Sequence, residues 1–244
     1  RIEDRTRTFI IAMERTVVPE NFSFRMTDEE YRVLEKIKNS IPVCYLADHA
    51  DFALGIVTGN NKKFLSAEKT EHSEMVLKGT DICKYHINPV KQYLRFEPEQ
   101  FQQVAPLEIY RAPEKLLYRF ISNQLVVAYD DRQMLSLNSC NIVIPKIEGM
   151  QIKYILAILN SSVSQFVYQK EFHSIKVLRA HMEHIPIPRV GKAIQNEIIA
   201  MTEPLICGMG KEAAETCQKR LDCRIMDLFR LSAEEQWIIR HALH

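Results

Sequence analysis

The chain has 244 residues, a formal net charge of +1 and 46% hydrophobic residues, which is typical of a folded globular protein with one large domain or one domain and a small appendage. So balanced a charge argues against binding to a polyanion through bulk charge alone, although it is compatible with a local basic face. With 7 glycines and neither a G-x-G-x-x-G nor a G-x-x-x-x-G-K-[ST] motif, the sequence argues against a self-contained nucleotide-binding enzyme.

The six cysteines lie far apart along the chain, and no C-x-x-C pair occurs. This dispersion is typical of reduced thiols inside a cell, so we expect a cytoplasmic protein without a disulfide framework. The longest apolar runs fall short of the ~20 residues that span a bilayer, and the charged N-terminus has no signal-peptide pattern. The first residue is Arg1 and not Met, which is compatible with a piece excised from a longer protein.

Residues 1–42 are predicted to form an N-terminal connector, a strand plus a helix, that lies outside the core. The strand covers Thr6 to Val18, where charged residues alternate imperfectly with apolar ones. The helix is predicted to begin at Thr27, because threonine is a favourable N-cap and three acidic residues follow it in the first turn. Pro42 ends the pattern.

Residues 43–190 change to short apolar runs broken by turn residues, which favours strands. The strand candidates are 53–57, 116–121, 125–129 and 141–144, and a single helix is predicted over 150–169. Residues 191–244 are helical in pattern. We therefore predict an α+β fold, in which a mixed sheet carries helices on one side and a helical C-terminal appendage follows.

Charge is distributed unevenly between these regions. Residues 146–192 contain seven basic and three acidic residues, whereas residues 193–244 contain six basic and eight acidic ones. The middle of the chain is therefore predicted to supply the positive surface.

The segment 55–64, GIVTGNNKKF, is the most suggestive one for binding. It leaves a predicted strand, turns at Gly59 and Asn60, which tolerate positive φ, and then presents Lys62 and Lys63. Free backbone N–H groups, amide side chains and lysines can hold phosphates and reach base edges. A polar turn with solvated lysines is the alternative interpretation.

Lys115 and Arg119 are four residues apart and share one face in either a helix or a strand. Two cations on one face suit a phosphodiester backbone, although an amphipathic surface element has the same pattern. Asp130 and Asp131 are paired carboxylates, yet no Glu-x-Lys or Asp-x-Lys completes a nuclease site, so a turn between strands is favoured. His181 and His184 lack a third ligand of fitting spacing, so no metal site is predicted.

Six segments occur in the order found in one known family. They are GIVTGNNKKF (55–64), LKGTDICKY (77–85), EKLLYRFI (114–121), LNSCNI (137–142), YILAILNS (154–161) and HIPIP (184–188). This order resembles the TaqI-like C-terminal specificity domain, the target-recognition region of adenine-specific DNA methyltransferases and of type II and IIG restriction-modification enzymes. The resemblance covers roughly residues 45–190, so we expect a DNA target-recognition domain over 43–190 and a helical C-terminal region over 191–244.

The resemblance implies a division of labour. In this family a covalently linked methyltransferase domain binds S-adenosylmethionine and contacts a flipped adenine through an Asn-Pro-Pro-Tyr/Phe motif. Here Asn88 and Pro89 are followed by Val90, and no glycine-rich cofactor loop occurs. We therefore expect no catalytic residue, cofactor or metal in this fragment. S-adenosylmethionine, and Mg²⁺ if an endonuclease is present, are expected in the missing catalytic parts.

The expected partner is double-stranded DNA. By position in the family's motifs and by charge, the predicted DNA contacts are Thr58, Asn60, Asn61, Lys62, Lys63, Lys115, Arg119, Asn138, His173, Lys176 and Arg179. Two alternatives are a metal-dependent nuclease that uses Asp130 and Asp131, and a protein-interaction module that acts through the helical tail.

Overall fold

A computed structural model describes residues 26–172 and 174–243. The helices are α1 (Asp28–Asn39), α2 (Asn61–Phe64), α3 (Leu107–Tyr110), α4 (Ile152–Asn160), α5 (Ser162–Glu171), α6 (Arg179–Glu183), α7 (Lys192–Ile206), α8 (Lys211–Leu228) and α9 (Ala233–Ala242). The strands are β1 (Val43–Cys44), β2 (Ala50–Ala53), β3 (Leu65–Ser66), β4 (Ser73–Leu77), β5 (Tyr93–Arg95), β6 (Lys115–Arg119), β7 (Val127–Asp130), β8 (Leu135–Ser136), β9 (Cys140–Pro145) and β10 (Ile187–Pro188).

Two four-stranded sheets form the centre of the molecule. The first, which we call the central sheet, is antiparallel and has the strand order β2-β9-β6-β7. The second has the order β3-β5-β4-β8, with β4 and β8 parallel. β1 and β10 form a separate antiparallel pair. The predicted α+β class with mixed sheets is confirmed.

The central sheet is buried on both faces. Successive residues of a strand point to opposite faces, and on β6 Leu116 joins the larger core while Leu117 joins the smaller one. Val143 and Ile142 divide in the same way on β9. The helices α4, α5 and α7–α9 contribute to the larger core, and the second sheet contributes to the smaller one. The predicted placement of helices on one side of a sheet is therefore confirmed for the central sheet.

The predicted N-terminal helix exists and belongs to the core. Thr27 caps α1 through a capping box with Glu30, as the sequence indicates. Val33, Leu34 and Ile37 are buried in the larger core, so the expectation that this helix lies outside the core is wrong. The predicted strand from Thr6 to Val18 lies outside the described residues.

The helix predicted over 150–169 is divided at Ser161. This residue has an extended conformation, with ψ 159, and its hydroxyl accepts a hydrogen bond from the backbone N–H of Ser164. It therefore ends α4 and caps α5. Just before the break, the buried Asn160 side chain bonds both the N–H and the carbonyl of Val127 on the edge strand β7, which ties the helices to the central sheet.

The helical C-terminal region is present as three helices, and Ile198, Leu221 and Ile225 reach the larger core. None of the described helices is long and apolar enough to cross a membrane. The boundaries at residues 42 and 190, and the use of the tail as a partner surface, stay predictions.

The predicted DNA contact of Lys115 is wrong, because its side chain is fully buried. Its ammonium lies 2.5 Å from a carboxylate oxygen of Asp130, also fully buried, and donates to the carbonyl of Tyr110 at 2.7 Å. Burial lowers the pKa of Lys115, while the Asp130 charge opposes that shift. Both Asp130 oxygens also accept backbone N–H groups, from Arg132 and Met134. Asp130 is thus engaged in a structural network, which contradicts the alternative nuclease site.

We expect Lys115→Met to lower the free energy of unfolding by roughly 3–5 kcal/mol, because it leaves the Asp130 carboxylate buried without a counterion. Urea denaturation measures the loss. The matched control is Lys146→Met, whose ammonium pairs with Asp51 at the surface and whose loss should cost about 1 kcal/mol or less. Equal losses for the two variants would contradict the structural role of the buried pair.

Candidate nucleic-acid interface

A cleft of about 480 Å³ brings together four separate segments of the chain. We call it the recognition cleft, and its lining residues are Asn61, Lys62, Leu65, Lys78, Gln92, Leu137, Asn138 and Ser139. Of the predicted contacts, Asn61, Lys62 and Asn138 meet here. Among the described residues that line the cleft, two are lysines, four carry an amide or a hydroxyl group, and none is acidic.

The loop that carries Asn61 and Lys62 is fixed by close backbone contact with the segment before β9. The N–H of Ile56 donates to Ser136, and the N–H of Asn138 donates back to Ile56. Gly55 makes this approach possible, because a Cβ at that position would lie 2.1 Å from the carbonyl oxygen of Leu137. Gly59 then turns the chain with φ +73, which glycine adopts without strain.

Two predicted contacts in this loop have structural roles instead. The Thr58 side chain is buried at 4% exposure, and its hydroxyl donates to Asn61 Oδ1 at 2.6 Å. The prediction that Thr58 touches DNA is therefore contradicted, and its bond instead orients the Asn61 amide. Asn60 caps α2 by accepting the N–H of Lys63. A direct contact of the exposed Asn60 with DNA stays a prediction.

The two lysines of the loop differ in their surroundings. Lys63 donates to the Gln100 side chain at 2.7 Å and lies 4.8 Å from the centre of the Phe64 ring. Lys62 is exposed at the cleft, and no acidic partner within 4 Å occurs among the residues that the structure describes. Of the two, Lys62 is the cation that is free to meet an anion.

Arg119 organises the wall of the cleft. Its guanidinium donates to the carbonyl oxygens of Gly79 and Ile82, at 2.9 and 2.7 Å. The N–H of Gly79 in turn donates to the Ser139 hydroxyl. These bonds hold Lys78 and Asn138 on neighbouring backbone segments, so Arg119 positions the cleft. Its direct contact with DNA stays a prediction.

A second basic element lies beside this wall. The N–H of Phe120 donates to the carbonyl of Ser139, and Ile121 pairs with Lys176 across an antiparallel bridge. Lys176 is exposed, with its ammonium 5.9 Å from the centre of the Phe120 ring. Arg179 is exposed too, but its side chain pairs with Glu183 and lies over Phe52. His173 lies outside the described residues.

The positive surface is smaller than the charge count over 146–192 predicts. Four of the basic side chains there are paired with carboxylates: Lys146 with Asp51, Lys153 with Glu203, Lys170 with Glu30, and Arg179 with Glu183. The cleft residues that the sequence did not predict as DNA contacts include Lys78 and Gln92. Lys78 lies in the segment 77–85 that carries the family resemblance, whereas no sequence signal marks Gln92.

His181, one of the described histidines in this region, has a structural role. His181 accepts the N–H of Leu178 and stacks on Phe172 at 4.4 Å between ring centres, and burial lowers its pKa. Within the described part of the chain, no group of three or more His, Cys, Asp or Glu residues could hold a metal ion.

Part of the chain matches a known protein family. Residues 74–187 match a protein family described as the TaqI-like C-terminal specificity domain. The resemblance that the six sequence segments indicate is thereby confirmed over this range. No curated protein matches the chain.

Three solved structures are similar at low identity. The type IIL restriction-modification enzyme MmeI, in complex with DNA, is 10% identical with a TM-score of 0.54, over 80% of this chain and 35% of that one. The HsdS subunit from Thermoanaerobacter tengcongensis is 14% identical with a TM-score of 0.43, over 88% and 50%. The type IIG restriction endonuclease BpuSI is 11% identical with a TM-score of 0.44, over 83% and 33%. The chain spans half or less of each protein, and the likeness to MmeI shows a shared fold.

We expect Gly55→Ala to displace the loop at residues 58–63, because the added methyl group meets a backbone carbonyl that cannot move aside alone. Overpacking of this kind costs about 1–3 kcal/mol or more. Trypsin should then cleave after Lys62 and Lys63 faster, as followed by mass spectrometry. Gly191→Ala, with nothing within 4 Å of the added Cβ, is the control. An unchanged cleavage rate in Gly55→Ala would show that the close approach does not position the loop.

Proposed function

We propose, from the match of residues 74–187 to the TaqI-like C-terminal specificity domain, that this chain binds double-stranded DNA in a sequence-specific manner. It would act as the target-recognition part of a restriction-modification enzyme. The observation that carries the proposal is the recognition cleft, in which lysines and amides from four segments converge and no carboxylate lines the wall among the described residues.

The cleft offers the two kinds of contact that DNA recognition needs. Lys62 and Lys78 supply charge for phosphate oxygens, which position a protein on the duplex. The amides of Asn61, Gln92 and Asn138 can donate and accept at base edges, and an Asn or Gln amide pairs with the N6 and N7 atoms of adenine in the major groove. Affinity and specificity would therefore come from different side chains in one cleft.

Exposed apolar side chains extend this surface beside Lys176. Ile121 and Ile175 are 60% and 70% exposed, and the N–H of Ser122 binds the carbonyl of Ile175, which holds the two segments together. Isoleucine at a groove can contact the methyl group of thymine. The proposed DNA-binding face thus runs from the recognition cleft to Lys176.

The chemistry would reside in linked parts outside this chain. We propose a parent enzyme that is an adenine-specific DNA methyltransferase, with or without an endonuclease activity, and this fragment as its non-catalytic reader. The covalently linked methyltransferase domain would bind S-adenosylmethionine, and Mg²⁺ would serve a nuclease part. This domain would receive the flipped adenine while the recognition cleft holds the neighbouring duplex.

We expect the double variant Lys62→Ala/Lys78→Ala to weaken binding to any DNA duplex and to lower the dependence of log K on log salt by about 1 per lysine. The physical reason is that each lysine bound to a phosphate releases counterions from the DNA, so binding by the variant releases fewer of them. Fluorescence anisotropy with a labelled duplex over a salt series measures both quantities.

Lys192→Ala is the matched control for this experiment. Lys192 is exposed and is the first residue of α7. In the same helix, Gln195 donates to the carbonyl of Gly149. Gly149 follows β9, whereas the recognition cleft lies at the start of β9. Its removal should leave the salt dependence unchanged. An equal effect of the control and the double variant would show that binding follows total charge and not the cleft.

We expect Asn138→Ala to relax the preference of the chain for one DNA sequence without changing the salt dependence of binding. The reason is that an uncharged amide contacts bases and releases no counterions from the phosphates. The loss at one position of the preferred site should be about 1–3 kcal/mol. Selection from a random duplex pool, performed for the wild-type chain and the variant, measures it. Asn39→Ala, exposed at the end of α1, is the control, and identical selected sites for all three chains would contradict base reading by Asn138.

A further inference from the structure

A separate pocket of about 560 Å³ lies where the segment 84–86 meets the C-terminal helices. We call it the helix pocket. It is lined by Lys84, Tyr85, His86, Leu205, Met209, Lys211, Ala214, Glu215, Gln218 and Lys219. Its volume is within the range of small-molecule sites, which are mostly apolar with a few placed polar groups. None of its residues belongs to the recognition cleft.

Two buried polar groups in the wall lack hydrogen-bond partners. Within the described residues, the Tyr85 hydroxyl and the Gln218 amide nitrogen make no hydrogen bond of acceptable geometry. Leaving such a group unsatisfied costs about 1–3 kcal/mol. Burial and, to a lesser extent, the Asp222 charge raise the pKa of Tyr85 well above its ordinary value, whereas the adjacent Gln218 side chain lowers it. Both groups are donors, so an acceptor in the pocket would satisfy them.

A buried cation lies next to these donors. Lys84 donates to the carbonyl of Asn160 at 3.0 Å, and no carboxylate lies within salt-bridge distance of its ammonium in the described chain. Burial lowers the pKa of Lys84, while the more distant Asp222 charge raises it. An ammonium has three donors, so two remain for a ligand. Lys211 and Lys219 add positive charge at the exposed margin, against the single carboxylate of Glu215.

The backbone at Tyr85 is strained in a way that fixes this arrangement. Its φ of 73 places a large side chain in the left-handed region, which costs of order 1–3 kcal/mol. The N–H of Tyr85 binds the carbonyl of Val127, and its own carbonyl accepts the N–H of Tyr129. The edge of the central sheet thereby holds the aromatic ring at the pocket wall.

We propose that the helix pocket binds a small organic anion that has an apolar body and one carboxylate. The carboxylate accepts from Tyr85, Gln218 and Lys84, and the body lies against Leu205, Met209 and Ala214. The walls of the helix pocket come from the segment 84–86 and from the C-terminal helices. A bound ligand therefore stabilises the packing of that segment against those helices.

Decanoate and decanol are the probes, because they share an alkyl chain and differ in the anionic group. Decanoate should bind the full chain by calorimetry and raise its melting temperature in a concentration-dependent manner. Decanol should bind at least 10-fold more weakly. Equal binding of the two, or no melting shift with decanoate at millimolar concentration, would overturn the proposal and would fit a pocket that a protein partner covers.

Tyr85→Phe tests the site directly, because it removes only the hydroxyl. The free protein should be as stable as wild type or more so, since an unsatisfied buried group is lost, whereas decanoate should bind about 10-fold more weakly. Lys219→Gln should weaken decanoate binding at low salt, and Lys192→Gln should not. Unchanged affinity in both Tyr85→Phe and Lys219→Gln would place decanoate elsewhere and refute the assignment. DNA binding is measured separately and does not enter this test.

Discussion

Burial of the central sheet on both faces is the constraint on which the rest of the structure depends. A strand covered on both sides can carry polar side chains only if they are neutralised internally or lie at its ends. Lys115 is the first case, since it begins β6 inside the core and requires Asp130 as its counterion. Asn138 and Ser139 are the second, because they precede β9 and emerge at the opposite end, where Arg119 pairs with Cys140. The recognition cleft therefore forms at one end of the sheet, from loops whose positions the strands fix.

The recognition cleft shows how those loops are fixed without large side chains. Backbone atoms of the segments around Gly55, Gly79 and Ser139 approach one another so closely that a Cβ on either glycine would overlap a carbonyl oxygen. Arg119 completes the arrangement by binding two backbone carbonyls. A rigid support of this kind holds exposed amides in fixed positions, which direct reading of base edges requires. Lysines with long flexible stems need less precision, and they occupy the margin of the cleft.

Sequence patterns predict the elements of this fold better than they predict the exposure of single residues. Thr27, with acidic residues in the turn after it, predicts the start of α1, and the apolar runs predict β6, β7 and β9, because capping and burial act locally. The even spacing of Lys115 and Arg119 predicts a shared face, but spacing does not tell whether that face is solvated. The helix break at Ser161 accompanies the contact of Asn160 with β7. Lys78 lies at the cleft because the fold brings together segments that are distant in sequence. Such long-range contacts leave no periodic signal in the sequence.

The distribution of ion pairs bears on how this chain would bind DNA. Four of the seven basic residues in the 146–192 segment are paired with carboxylates, three of them on other elements, so these four are not free for phosphates. The cations that remain for phosphates are the lysines at the cleft and Lys176, so the chain can make few phosphate contacts. Each such contact contributes to affinity through counterion release. Discrimination between bases would then rest on uncharged amides, which read sequence but add little general affinity. A reader built in this way gains by being tethered to a second DNA-binding domain, because the tether raises its effective concentration at the duplex.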